Sequence, residues 1–247
     1  MTSGWTRRDG RPLVLGHRGA RNAAPENTLA AFELAREEAA DGVELDVRLD
    51  ADGNVIVLHD RTLERVTDGR ERRDVERVPA SELSRVDLGG GASVPRLVEV
   101  LDWAAGSDML VNIELKHDVS GRERLVAGVV DLVRAQRDAG QWLLLSSFHP
   151  EIVWRLARAL PDVRVAWLVH KGQRFARHAR GFRLLGAGAV HPEHVLVTER
   201  RIARWHHGGA RVNTWTVNDP DRARELAALG VDAIISDKPR LIRDALS

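Results

Sequence analysis

The sequence predicts an α/β fold, a TIM (β/α)8 barrel. Short apolar runs typical of buried strands alternate with amphipathic stretches along nearly all of the 247 residues. Eight of these runs are separated by enough residues for a crossover, which predicts parallel strands with right-handed connections. Eight is also the number of parallel strands that closes this barrel. An open, doubly wound sheet is the second interpretation, because strand counting alone does not exclude it.

The predicted elements follow one another from the N-terminus. The strands are expected at 13–15, 43–47, 110–115, 142–145, 163–168, 187–190, 212–217 and 231–235. The clearest helices are expected at 29–39, 125–136, 151–160 and 222–229. The last helix has the sharpest limits, because Asp219 can cap it, Pro220 suits its first position and Gly230 suits a left-handed stop.

One apolar run, 55–58, breaks the alternation. It follows the strand at 43–47 after only seven residues, too few for a parallel crossover, and is therefore predicted to return antiparallel. If Asp52 and Gly53 form a two-residue turn, paired positions sum to 105 and His59 faces Asp46. The next span, 61–95, has no clear periodicity. It is interpreted as an insertion on the catalytic rim that either shapes substrate access or has no role in specificity.

Composition favours one catalytic domain, 1–247, with the insertion at about 61–95. No segment is low in complexity, and 43% hydrophobic residues are ample for a core. The 37 basic and 36 acidic residues nearly cancel, so charge does not indicate a nucleic-acid partner. There is no cysteine, which excludes disulfides, zinc–thiolate sites and a cysteine nucleophile. No apolar run is long enough to span a membrane, and a cytoplasmic location without stable membrane insertion is expected.

Acidic side chains share one face on two of the predicted strands. Alternation places Glu44 and Asp46 together, and it does the same for Asn112, Glu114 and Lys116. If the apolar faces cover the helices, these polar faces point into the barrel. Three buried carboxylates need a cation or basic partners, and one hard divalent ion, Mg²⁺ or Ca²⁺, suits oxygen ligands. Structural salt bridges to Arg18 or Lys116 are the alternative explanation.

Two histidines are candidate proton-transfer groups. His17 and His59 each end an apolar run beside a glycine or a charged residue, and imidazole titrates near neutral pH. Gly16 and Gly19 flank the first histidine, either to let a phosphate approach the backbone or simply to form a tight turn. Phe148, His149 and His191 also follow strand runs and could line the mouth of the barrel. The remaining histidines are interpreted as structural or surface residues: His117, His170, His178, His194, His206 and His207.

Several short motifs occur in order along the chain and together resemble the glycerophosphodiester phosphodiesterase family. They are Gly16–Gly19 with Pro25–Thr28, Glu44–Asp46, His59–Asp60, Val94–Pro95, Glu114–Lys116, Trp215–Asn218 and Ser236–Pro239. Any one of these motifs would be a weak signal, whereas the ordered combination is specific. The resemblance spans residues 16–239, which is nearly the whole chain.

The resemblance implies a metal-dependent enzyme that hydrolyses glycerophosphodiesters to sn-glycerol 3-phosphate and an alcohol. It implies that His17 and His59 are the catalytic histidines, and that Arg18 and Lys116 contact the phosphate. It assigns the metal to three carboxylates: Glu44, Asp46 and Glu114. Trp215 could pack against the glycerol carbons, although a strand tryptophan is more often a core residue.

Two other functions remain open at the level of sequence. A lysophospholipase D-like phosphodiesterase would need an apolar groove beside the metal. The chain has four Phe and no Tyr, and this scarcity of aromatic residues gives such a groove little support. A non-catalytic phosphate-binding barrel would be expected to have lost a histidine or a metal ligand, and none is missing. The preferred alcohol, the choice between Mg²⁺ and Ca²⁺, and the oligomeric state are not determined.

Overall fold

The computed structural model describes residues 4–174 and 176–247. Its strands are β1 (Leu13–His17), β2 (Gly42–Leu49), β3 (Val55–Val57), β4 (Leu110–Leu115), β5 (Leu143–Ser147), β6 (Arg164–Val169), β7 (Ala189–Pro192), β8 (Arg211–Thr214) and β9 (Ala233–Ser236). Its α-helices are α1 (Leu29–Glu37), α2 (Ala80–Leu83), α3 (Leu97–Ala105), α4 (Arg122–Arg134), α5 (Ala139–Trp142), α6 (Pro150–Ala159), α7 (Glu199–His207), α8 (Pro220–Leu229) and α9 (Pro239–Ala245). Residues 1–3, which the predicted domain includes, lie outside this description.

Within the described part of the chain, eight parallel strands close into a barrel. Hydrogen-bonded neighbours run in the order β1, β2, β4, β5, β6, β7, β8 and β9, and β9 pairs back with β1. This closure confirms the predicted TIM barrel, and the open-sheet alternative is wrong. Helices cover the outside, where the apolar faces of the strands join a large buried cluster with them. A second, smaller cluster fills the barrel interior with Leu13, Leu15, Leu144 and Ile235 among its members.

The return strand exists, but its predicted register is wrong. β3 pairs antiparallel with the end of β2, outside the ring, with Val47 opposite Val57 and Leu49 opposite Val55. These partners sum to 104, so Leu58, not His59, lies opposite Asp46 and donates to its carbonyl at 2.9 Å. The cause is the turn, which has three residues, 51–53, with Gly53 at a φ of +86°. A left-handed residue at the end of such a turn is the usual three-residue hairpin solution.

Most predicted strand limits are wrong by one to three residues, because apolar runs do not mark where ladder pairing ends. The capping of α8 is as predicted: Asp219 accepts the backbone N–H of Asp221 at 2.8 Å, Pro220 begins the helix, and Gly230 ends it in the left-handed region. No helix in the described ranges is both long and apolar enough to cross a membrane.

The insertion at 61–95 carries a small core of its own. It contains short 3-10 turns at Arg65–Thr67 and Val75–Arg77, and then α2. Apolar side chains from the insertion pack with β3 and its flanks in a cluster that includes Ile56, Leu58, Leu63, Val75, Leu83 and Val94. The aperiodic sequence is therefore folded into an ordered lobe beside the return strand.

An aspartate at the amino-terminal end of the barrel ties several chain segments together. Asp41, which is 4% exposed, accepts two hydrogen bonds from Arg11, at 2.8 and 3.0 Å, and one from the backbone of Val14 at 2.9 Å. Arg243 of α9 lies 3.4 Å away. Burial alone would raise the pKa of Asp41, but the Arg11 and Val14 hydrogen bonds hold the pKa below its ordinary value.

We expect Asp41→Asn to lower the free energy of unfolding at pH 7 by about 1–3 kcal/mol, because a buried charge-assisted network loses its anion. The depressed pKa means that this contribution is complete above the unfolded pKa of about 3.9 and is lost as pH falls through the folded value. Urea titrations at pH 7 and at pH 3 measure the difference. Asp102→Asn, on an exposed position of α3, is the control. Equal stability of Asp41→Asn and wild type at pH 7 would contradict the assignment.

Candidate active site

A cavity of about 300 Å³ opens at the carboxyl ends of the barrel strands. Eight residues were predicted as catalytic, metal-binding or substrate-binding. Seven of them line this cavity: His17, Arg18, Glu44, His59, Glu114, Lys116 and Trp215. Asn112, Phe148, Leu168, Thr216 and Ile235 complete the lining. The eighth predicted residue, Asp46, lies against this lining and is 1% exposed. The carboxyl end of the strands is where barrel enzymes carry their chemistry.

The predicted carboxylates converge as alternation on β2 and β4 requires. Glu44, Asp46 and Glu114 each offer an oxygen within 4.8 Å of the others, and all three are buried. Strand register explains this convergence, because Asp46 lies beside Glu114 across the β2–β4 ladder. The side-chain amide of Asn27 donates a hydrogen bond to Asp46 at 3.0 Å and orients this carboxylate.

Two basic side chains contact the carboxylate cluster. Lys116 lies 2.9 Å from Glu114 and 3.3 Å from Asp46, and the guanidinium of Arg18 is 3.2 Å from Asp46. Glu44 contacts neither basic side chain, although it accepts the backbone N–H of Arg18 at 3.2 Å. Three carboxylates against two cations leave the cluster one positive charge short of neutrality.

The pKa values reflect this shortage. Burial raises the pKa of Glu44 well above its ordinary value, and the charges of Asp46 and Glu114 raise it further. Burial also raises the pKa of Glu114, with Lys116 opposing. Burial opposes ionisation of Asp46 as well, but Lys116 and Arg18 outweigh it and lower that pKa. A further cation would remove the cost of ionising the two glutamates.

His17 ends β1 and is oriented by an acid from the far end of the chain. Its Nδ1 lies 2.6 Å from Asp237, whose other oxygen accepts from Asn218 at 2.7 Å. Because a carboxylate accepts, Nδ1 carries the hydrogen, and Nε2 is left 4.0 Å from Glu44. Burial lowers the pKa of His17, while the Asp237 hydrogen bond opposes that shift.

His59 is held in the same way by its neighbour in sequence. Its Nδ1 lies 2.6 Å from Asp60, so its Nε2 is the nitrogen available for proton transfer. Burial lowers the pKa of His59, and the charge of Asp46 opposes that shift. Asp60 also accepts from Arg65 of the insertion at 2.5 Å. The carboxylates that orient both histidines were recognised in the sequence only as parts of motifs.

Glu26 links the loop after β1 to the insertion. It accepts from Arg18 at 2.8 Å and from two nitrogens of Arg65, at 2.7 and 3.0 Å. These hydrogen bonds hold the pKa of Glu26 at about 2, although burial alone would raise it. Arg65 therefore bridges Asp60 and Glu26, and through them the surroundings of His59 and Arg18. No periodic pattern in the insertion pointed to Arg65.

The glycines around His17 serve the turn. Gly19 has a φ of +83° and donates to the carbonyl of Gly16 at 3.1 Å. A Cβ on Gly19 would lie 2.6 Å from the backbone of Ala31 in α1. The sequence allowed two roles for Gly16 and Gly19, phosphate approach or a tight turn. The tight turn explains both glycines, since a side chain at either position would meet protein atoms.

Aromatic residues near the mouth differ in what they contact. Trp215 is partly buried, lines the cavity and donates from its indole to the carbonyl of His191 at 2.8 Å. Phe148 meets Trp215 edge to face at 5.5 Å. The idea that His191 lines the mouth is wrong: this side chain is fully buried beside Asn213, and burial lowers its pKa to about 3.

Comparison with known proteins identifies the family. Residues 17–241 match the Glycerophosphoryl diester phosphodiesterase family, and this span contains every residue of the motif series except Gly16. The chain belongs to this family. The resemblance derived from the ordered motifs is therefore confirmed, together with the prediction of a phosphodiesterase.

Individual relatives of this family member match over almost their full lengths. A glycerophosphodiester phosphodiesterase of Caldanaerobacter subterraneus subsp. tengcongensis is 30% identical over 93% of this chain and 96% of its own. The crystal structure of glycerophosphodiester phosphodiesterase from Agrobacterium tumefaciens superposes with a TM-score of 0.77 at 31% identity, covering 94% of this chain and 99% of that one. An Oleispira antarctica phosphodiesterase, solved in complex with the product sn-glycerol-3-phosphate, has a TM-score of 0.82 at 28% identity, covering 95% and 96%.

Proposed function

We propose that this protein hydrolyses glycerophosphodiesters to sn-glycerol 3-phosphate and an alcohol, with one divalent cation. The observation that carries the proposal is the meeting of two oriented imidazoles, His17 and His59, with a buried carboxylate cluster in one cavity. The product complex of the Oleispira relative supports the glycerol 3-phosphate half of the substrate.

The donor set suits a hard divalent cation. Glu44, Asp46 and Glu114 would hold the ion through oxygen, the ligand type that Mg²⁺ and Ca²⁺ take. The side-chain oxygen of Asn112 is buried in the same cavity without a hydrogen-bond partner, which adds a neutral oxygen of the right kind. When bound, the cation would supply positive charge that stabilises the transition state.

The basic residues would bind the phosphate. Arg18 and Lys116 both line the cavity and already face acidic oxygens, so a phosphodiester would share their charge with the carboxylates. Trp215 presents an apolar ring to the same cavity and would pack against the glycerol carbons. These contacts would hold the phosphodiester in the cavity that His17 and His59 also line.

The histidines would move the protons in two steps. One imidazole takes the proton of the neighbouring glycerol hydroxyl as its oxygen attacks phosphorus, and the other protonates the departing alcohol, leaving a cyclic phosphate. In the second step water attacks and opens the ring, and the two histidines exchange roles. Asp237 and Asp60 hold the Nδ1 hydrogens of His17 and His59, so Nε2 of each ring makes the transfers.

The first test measures release of glycerol 3-phosphate from glycerophosphocholine and glycerophosphoethanolamine, with Mg²⁺ or Ca²⁺ supplied separately. We expect release from at least one substrate with one of the ions, and loss of release in excess chelator. Binding of glycerol 3-phosphate without turnover of either ester would instead favour a phosphate-binding barrel. Turnover that survives chelation would refute the cation requirement.

The proposal also covers the domain organisation and the cellular location of the protein. We propose one catalytic domain that includes the insertion, since Arg65 of the insertion contacts Glu26 and Asp60 beside the cavity. Limited proteolysis that released the insertion without loss of turnover would contradict this. A cytoplasmic location stays a prediction, which cell fractionation would test.

A further inference from the structure

An open groove of about 720 Å³ adjoins the active-site cavity. The two spaces share His59, Lys116 and Phe148 as common walls. The smaller cavity of about 300 Å³ holds the groups that must surround the phosphate and the glycerol hydroxyl. The leaving alcohol must therefore project from that cavity, and the adjoining groove has room for it.

Phe148 stands at the junction and organises the histidines of the groove. Its ring centroid lies 5.7 Å from that of His170, edge to face, and 6.5 Å from that of His117. His149 stacks on His117 at 6.1 Å. Of the described residues that line the groove, Phe148 is the one phenyl or indole ring, so there is no aromatic cage of the kind that recognises quaternary ammonium groups.

The acidic residues of the groove are already paired with arginines. Asp118 accepts at 2.7 and 2.8 Å from Arg48, which is buried. Asp60 is held between His59 and Arg65. Neither carboxylate is left as an uncompensated charge to attract a cationic head group.

Hydrogen-bond donors in the groove have unused capacity. Arg122 can only donate, so its contact with Nε2 of His149, at 3.0 Å, places that ring's hydrogen on Nδ1 when the ring is neutral. That Nδ1 is shielded from solvent and has no hydrogen-bond partner, so His149 does not offer its hydrogen to a ligand in the groove. The backbone N–H of Gly172 donates to Nδ1 of His170 at 3.1 Å, which places the hydrogen of that ring on Nε2.

Gln173 is a further hydrogen-bond donor in the groove. Its side-chain oxygen accepts the backbone N–H of His170 at 2.9 Å, so its NH₂ group is the end that remains to contact a ligand. The groove is thus rich in donors and poor in free acceptors.

We propose that this groove binds the leaving alcohol and selects an oxygen-rich polyol, such as inositol or glycerol, over a quaternary ammonium alcohol such as choline. The inference rests on the proposed phosphodiesterase function and specifies its substrate class. Hydroxyl oxygens of a polyol accept the hydrogens that His170 and Gln173 offer. A trimethylammonium group can accept none of them and finds no free carboxylate.

The test compares kcat/KM for glycerophosphoinositol, glycerophosphoglycerol, glycerophosphocholine and glycerophosphomethanol, the last having an alcohol too short to fill the groove. We expect both polyol esters to exceed the choline ester by roughly tenfold, as for one to two hydrogen bonds. His170→Phe keeps an aromatic ring and removes one donor, and Gln173→Glu keeps the oxygen that accepts from His170 and removes the NH₂ group. Each is expected to lower the ratio of inositol to methanol ester by roughly three- to tenfold.

His207→Phe, on an exposed position of α7, is the matched control and is expected to keep the wild-type ratio. Equal kcat/KM for the choline and polyol esters, or ratios that stay unchanged in both groove variants, would overturn the inference while the phosphodiesterase function stands. Turnover of none of the four esters would overturn the proposed function and the inference together.

Discussion

Replacing either His17 or His59 with alanine is expected to lower kcat for glycerophosphodiester hydrolysis by roughly 10²–10⁴-fold, the usual contribution of a general acid or base. Each imidazole is held by a carboxylate at 2.6 Å, which leaves one nitrogen for proton transfer. Initial rates of glycerol 3-phosphate release measure the loss. Thermal unfolding of both variants establishes that the fold is retained.

A substrate with a p-nitrophenyl leaving group separates the two roles, because this group departs without needing a proton. The variant that lacks the general acid of the first step should recover much of its rate with this ester, whereas the variant that lacks the base should not. His207→Ala is the surface control. Full activity of His17→Ala or His59→Ala with the natural ester would refute the acid and base assignment.

Removal of the divalent cation is expected to lower turnover by roughly a hundredfold or more, since a bound metal supplies several kcal/mol of charge stabilisation. The same cation should stabilise the fold. At one hundred times its Kd it would contribute about 2.7 kcal/mol, visible as a higher Tm. Chelator and metal titrations should be followed by turnover and by Tm. The Tm tests the metal site independently of catalysis.

Glu44→Gln distinguishes a metal site from a structural salt-bridge cluster. Burial and the neighbouring carboxylates already raise the pKa of Glu44, so a neutral side chain of the same shape should not lower the metal-free Tm. The variant should instead lose most of the Tm increase produced by Mg²⁺ or Ca²⁺. Glu37→Gln, on an exposed position of α1, should retain it. A full increase in Glu44→Gln would show that the cation binds elsewhere.

Much of the barrel could be read from local patterns. A strand exposes alternate residues on opposite faces, so Glu44 and Asp46 had to share a side wherever β2 lay. The seven residues between the runs of β2 and β3 excluded a crossover, whatever the rest of the fold. The ordered motifs indicated the family, because their combination along the chain is specific.

Other features depended on tertiary contacts that local patterns do not record. The ring closes through pairing of β9 with β1, at opposite ends of the chain. The carboxylate that orients His17 is Asp237, which is 220 residues away. The three-residue hairpin turn shifted the β2–β3 register by one position, a change too small for apolar runs to reveal.

The sequence by itself determined the number of strands, the faces that carry the acids and the family, because these follow from periodicity and residue order. Only the tertiary structure decided which of the other histidines join the site. His191 follows a strand run yet is enclosed within the barrel, whereas His149 and His170 line the groove beside Phe148. The physical reason is that burial and side-chain partners are set by barrel closure, which brings together segments distant in the chain.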